Sequence, residues 1–172
     1  MCSQDFQPGE MTPAIDSPVD GNLDGEFESV LPIFNLRNRL SALVIDSSIS
    51  CRLIQKGLLR HYGVQTEDAE DGLAARNLIA KRSDPFDLIL IDNSLPSIYN
   101  GHDTIRALRG MGITSKIVGM VICWCATVRE DRMCGCAPAI REVLDAGASE
   151  VIFKPVSPGT LVAILRDLDN QF

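Results

Sequence analysis

Several features are scarce in this 172-residue chain, and each scarcity excludes something. No Lys or Arg precedes Arg37, and no basic stripe occurs later, so the phosphate-neutralising surface of a nucleic-acid binder is missing. The longest nearly apolar run, Ile117 to Val128, is 12 residues, whereas a membrane-spanning helix needs about 20. The N-terminus has neither a basic segment nor an apolar core, so it does not read as a secretory signal. Aromatic residues are only 5% of the chain. Histidine occurs twice, as His61 and His102, with no partner spacing that suggests ligation. Both read as solvated surface residues. These absences predict a cytoplasmic location, with the nucleus open as a second one. In a reducing compartment the six cysteines are thiols or ligands rather than a disulfide framework.

Hydrophobic residues make up 45% of the chain and charged residues 23%, the balance of a globular protein with a core. The net charge of −7 is local: seven acids fall within residues 1–36, leaving 16 acidic against 16 basic residues in the remainder. Pro8, Pro13, Pro18 and Pro32, mixed with glycines and these acids, predict a disordered acidic tail over 1–36. A folded domain is expected over 37–170. "LSALVID" (40–46) reads as a buried strand, and 47–63 as a helix with Ile49, Leu53, Ile54 and Leu58 on its apolar face, stopped at Gly63. A short strand at 64–67 precedes a helix from Asp71 to Lys81, with Leu73, Ala74, Leu78 and Ile79 on its apolar face. Strands at 87–92, 116–122 and 150–154, and helices at 102–110, 140–148 and 158–168, complete the alternation. Such a pattern predicts an α/β fold: a doubly wound five-stranded parallel sheet, flavodoxin-like, in order 2-1-3-4-5.

Ligands bind such sheets at the carboxyl ends of the strands. Asp46, Asp92 and Lys154 fall at the ends of the first, third and fifth strands. Two carboxylates and an ammonium converging on one edge suit a hard cation and a phosphoryl group. Each residue also has an ordinary reading. Asp92 before Ser94 and Pro96 is a turn starter, Asp46 shares helix-capping ability with Ser47 and Ser48, and Lys154 has the reading of a surface lysine, against which its place at the end of an apolar strand favours the site.

Taken in order, "LVIDSS", "FDLILIDNSLPSIYNG", "GITSKIVGM" and "DAGASEVIFKP" resemble the response-regulator receiver domain of two-component phosphorelays. The wording is most similar to the short plant type-C regulators, which lack an output domain. The resemblance implies that Asp92 is the phosphoacceptor and that Asp46, Asp92 and the Ser94 carbonyl hold Mg²⁺. It further implies that Lys154 contacts the phosphoryl oxygens and that Lys154–Pro155 is a cis peptide. The implied partner is a histidine phosphotransfer protein, with a sensor histidine kinase as second donor, in cytokinin-type signalling. On this reading the chain is a signalling module, not an enzyme.

The sequence departs from the family pattern at several positions. Ser47 replaces the second acidic residue after the first strand, Val121 stands where a hydroxyl is expected, and Val151 occupies the aromatic switch position. The acceptor loop is one residue longer, with Tyr99-Asn100. These changes support an alternative reading, a phosphorylation-incompetent pseudo-receiver that acts as a binding module. A flavodoxin-like FMN enzyme would need a glycine-bearing, hydroxyl-rich phosphate loop that "DSSISC" lacks. A dehalogenase-type phosphatase would need an acid where Ser94 stands. "CWCATVREDRMCGC" (123–136) marks a Cys-rich insertion over about 123–138. It reads either as a plain insertion or as a four-thiolate Zn²⁺ site, although C-x-C is tighter than the usual zinc spacing.

Overall fold

The computed structural model describes residues 31–96, 100–123 and 135–172. The tail expected over 1–36 therefore lies largely outside the described residues, as does most of the Cys-rich segment. Residues 31–36 are described, and they belong to the compact unit Leu31–Phe172. Phe34 and Leu36 pack against its core.

The elements run β1 (Ser41–Ile45), α1 (Ile49–His61), β2 (Gln65–Ala69), α2 (Gly72–Ala80), β3 (Leu88–Asp92), α3 (Gly101–Gly110), β4 (Lys116–Ile122), α4 (Ala137–Asp145), β5 (Glu150–Lys154) and α5 (Pro158–Asp169). All strand pairs are parallel, in order β2-β1-β3-β4-β5. This is the expected sheet. β3 is buried at all five positions, as a strand covered on both faces requires. β1 and β3 supply Val44, Leu88 and Leu90 to a core under α1 and α5. Their alternate residues Leu43, Ile45, Ile89 and Ile91 enter a second core under α2, α3 and α4.

β4 and β5 match the expected bounds, whereas four local expectations are corrected. β2 is longer and later than 64–67, because the polar edge sequence "QTEDA" pairs along all of β1. The face of α1 is turned: Ile49, Leu53 and Ile54 are 64%, 63% and 64% exposed, Leu58 alone of the expected set packs against the core, and Gln55 and Leu59 are buried. Leu73 likewise faces outward, while Ala75 enters the core and Gly72 is buried against Thr104 of α3. α4 begins inside the segment assigned to the insertion, since Pro138 fits a first helical turn.

Candidate functional site

β1 and β3 are neighbours, so their carboxyl ends place Asp46 and Asp92 side by side, and β5 brings Lys154 to the same edge. The Lys154 Nζ lies 2.6 Å from Asp46 Oδ2 and 2.9 Å from Asp92 Oδ2. Both carboxylates are almost completely buried, with 1% and 6% side-chain exposure. Asp46 Oδ1 accepts the Ser48 N–H at 2.9 Å, and Asp92 Oδ1 accepts the Ser94 N–H at 3.0 Å. Every carboxylate oxygen is thereby engaged, as burial of charge demands. Ser48, not Asp46, caps α1, accepting from the Cys51 N–H. Asp92 starts its turn and pairs with Lys154 at once.

Burial alone would lower the pKa of the Lys154 ammonium, but its hydrogen bonds to Asp46 and then Asp92 outweigh that and raise it above its ordinary value. One ammonium against two carboxylates leaves the cluster negative. A cavity of about 530 Å³ opens over it, lined also by Ser47, Ser94, Gln55 and Ile122. Among the described residues Gln55 Oε1 is buried without a hydrogen-bond partner, an orphan that the hydration water of a bound cation would satisfy. No three His, Cys, Asp or Glu side chains converge among the described residues. The acidic set is therefore a pair, and Mg²⁺ characteristically uses one or two carboxylates and keeps water for its remaining positions. The donors present fit that ion. The Lys154–Pro155 peptide is cis.

Of the departures, Ser47 is exposed and lines the cavity, so a neutral hydroxyl stands where a third charge would. Val121 is buried among residues packed under α2, α3 and α4, and the β4 residue lining the cavity is Ile122. Val151 is half-buried against that same core. Asn100 caps α3 by accepting the Asp103 N–H, while residues 97–99 of the acceptor loop lie outside the described residues. Gly101 is required where α3 begins, because a Cβ there would sit 2.4 Å from Asn93 Cα and 2.4 Å from the Asp92 carbonyl oxygen.

Sequence reasoning missed Arg52. Its guanidinium donates to the Asp46 carbonyl at 2.6 Å and to the Ser47 carbonyl at 3.2 Å, and its Nε pairs with Asp68 at 2.9 Å. It therefore clamps the loop that carries Asp46. The only signal was a basic residue one turn into a helix that follows a strand-end Asp. His61 is exposed as expected, but His102 has 20% side-chain exposure and sits 3.7 Å from Glu142.

Comparison with known proteins places this geometry among relatives. Residues 42–166 match the response regulator receiver domain family. The chain is 31% identical over 132 residues to two-component response regulator 24 of Arabidopsis thaliana, covering 77% of this chain and 86% of that protein. It is 28% identical to two-component response regulator ORR41 of Oryza sativa subsp. japonica, covering 75% of this chain and 94% of that protein. Among solved structures, chemotaxis protein CheY4 of Vibrio cholerae superposes with a TM-score of 0.62 at 24% identity, covering 76% of this chain and 99% of that one. That structural likeness supports the fold.

Proposed function

This chain belongs to the response regulator receiver domain family, and from that premise we propose that it accepts a phosphoryl group on Asp92 from a phosphohistidine. The observation that carries the reading is the buried Asp46–Lys154–Asp92 bridge at the mouth of an open cavity. An Asp92 oxygen attacks phosphorus, the P–N bond breaks, the imidazole leaves, and an acyl phosphate forms on Asp92. Lys154 sits where its ammonium pairs with the transferred oxygens, and Asp46 holds it in place. When bound, Mg²⁺ would offset the negative charge gathered there; Asp46, Asp92 and the Ser94 carbonyl are the residues that would hold it. Positioning and charge stabilisation then do most of the work, as in phosphoryl transfer generally.

A histidine phosphotransfer protein is the proposed donor, with a sensor histidine kinase as the alternative. The outward Ile49, Leu53 and Ile54 of α1 offer an apolar landing surface, and Ile54 itself lines the cavity over Asp92. We place the chain in the cytoplasm, in a relay of cytokinin type, as a signalling module rather than an enzyme. Among the described residues no helix is long and apolar enough to cross a membrane.

The second reading, a pseudo-receiver that binds without being phosphorylated, is favoured by Ser47 at the cavity and by Val121 in the core. One experiment separates the two. Labelled phosphoryl transfer from a histidine phosphotransfer protein should reach the wild type with Mg²⁺ present and fail with Asp92→Asn. If the wild type stays unlabelled by both this donor and acetyl phosphate, the pseudo-receiver reading prevails.

A further inference from the structure

Among the described residues, two cysteines meet. Cys123 follows directly after β4, Cys136 immediately precedes α4, and their sulfurs are 3.4 Å apart. Cys136 is 8% exposed and belongs to the core under α2, α3 and α4, against which the half-buried Cys123 also packs. We propose that Cys123 and Cys136 are a redox-active pair that closes to an intramolecular disulfide when the protein meets a hydroperoxide. This modification site is independent of phosphoryl acceptance at Asp92.

Three observations carry the proposal. The sulfurs are already in contact, and a disulfide bond at ~2.05 Å requires them to approach by only about 1.4 Å from 3.4 Å. Regular structure holds both sides of the gap. Ile122, next to Cys123, is in register with Lys154 of β5, and α4 is seated by Val143, whose Cγ1 fills the space over Gly119 of β4. A pair held by a sheet and a helix pays little loop-closure entropy on bonding. The two thiols also differ in access, one half-buried and one buried, the arrangement of an attacking and a resolving cysteine.

Hydrogen peroxide is the oxidant in the step that follows, and an organic hydroperoxide would release an alcohol in place of the first water. The Cys123 thiolate attacks one peroxide oxygen, the O–O bond breaks, and the departing oxygen takes up protons to leave as water. Cys123 is left as a sulfenic acid. The Cys136 sulfur then attacks the Cys123 sulfur, the S–O bond breaks, and a second water leaves with the Cys136 proton. Two thiols are oxidised and one peroxide is reduced.

The test treats the full-length chain with hydrogen peroxide, alkylates the remaining thiols and maps tryptic peptides by mass spectrometry. Cleavage at Arg129 and Arg132 separates the two halves of the bridge. The expected product is one cross-linked pair, lighter by two hydrogens and released by dithiothreitol. It should persist in the Cys125→Ser/Cys134→Ser double variant and vanish in Cys123→Ser and in Cys136→Ser. A bridge that disappears from the double variant, a bridge between chains, or Cys123 over-oxidised with no bridge overturns the proposal. So does stoichiometric zinc that resists dialysis of the purified wild type and is lost from each single cysteine variant, which would assign the thiols to a metal. Circular dichroism on every variant distinguishes loss of the bridge from loss of the fold.

Discussion

Replacing Lys154 by methionine would leave Asp46 and Asp92, with 1% and 6% side-chain exposure, facing each other without a counter-charge. Removing one partner of a buried ionic cluster costs about 3–5 kcal/mol, so Lys154→Met should lower stability by that order in urea unfolding at neutral pH. Millimolar Mg²⁺ should restore part of it. If Mg²⁺ leaves the unfolding curve unmoved, the carboxylate pair does not hold a divalent cation. The pKa of Lys154 is raised above its ordinary 10.5, so its contribution is fully present below that pH and is lost only as pH climbs through the raised value. Ser47→Asp tests the opposite change. A carboxylate at this exposed cavity position should tighten Mg²⁺ by about tenfold, the factor given by ~1.4 kcal/mol of added attraction. A Mg²⁺ titration of phosphoryl labelling reads this directly, and an unshifted midpoint removes Ser47 from the account. At this scale the three site residues were legible because each ends a strand, and strand ends are visible in the apolar pattern. Arg52 and Gln55 were not, because their roles depend on which face of α1 meets the sheet.

That face is the main error at the scale of elements, and its cause is physical. Ile49, Leu53, Ile54 and Leu58 carry the apolar signal of α1, but of these only Leu58 packs on the core, which takes Leu59 and, just beyond the helix, Tyr62, while Gln55 is buried at the cavity. An amphipathic pattern assigns the apolar side to the core by default, and it fails where apolar residues serve a partner instead. Exposed apolar side chains grouped beside a site mark interaction surfaces. The double variant Ile49→Asp/Leu53→Asp should therefore slow phosphoryl transfer from a histidine phosphotransfer protein by about tenfold or more, since an interface residue that matters costs more than 1 kcal/mol. Labelling by acetyl phosphate, which needs no docking, should stay near wild type. Equal losses with both donors would mean that the substitutions damage the cavity rather than a landing surface. Strands were easier to read. β4 and β5 are bounded by abrupt changes from apolar to turn-forming residues, whereas β2, with "QTEDA", announces itself only by pairing with β1.

For the molecule as a whole, sheet order was legible from the alternation of strands and helices, but the tie between the two ends of the compact unit was not. Asp169, at the close of α5, is 3% exposed and accepts the backbone N–H groups of Arg37 at 3.1 Å and Asn38 at 2.9 Å, along with the Arg37 Nε at 3.2 Å. In sequence it is one more acid near a helix end, with partners 131 and 132 positions away. Burial alone would raise its pKa, but the Arg37 and Asn38 backbone donors, followed by their side chains, outweigh that and hold it below its ordinary 3.8. A carboxyl whose folded-state value is depressed stabilises the fold above the unfolded value, and that stability disappears as pH falls through the folded one. Asp169→Asn should thus lower the urea midpoint at pH 7, where the clasp is charged. The difference from wild type should shrink as pH falls below about 3.8, where the wild-type carboxyl is itself being neutralised. Asp68 has the same sign, depressed first by its hydrogen bond from Lys56 and, against the cost of burial, by Arg52. The variant therefore keeps some acid sensitivity while its slope becomes shallower. Urea midpoints measured for both proteins between pH 7 and 3 decide the matter: curves that stay parallel across that range would mean the Asp169 clasp takes no part in joining the chain leading into β1 to the end of α5.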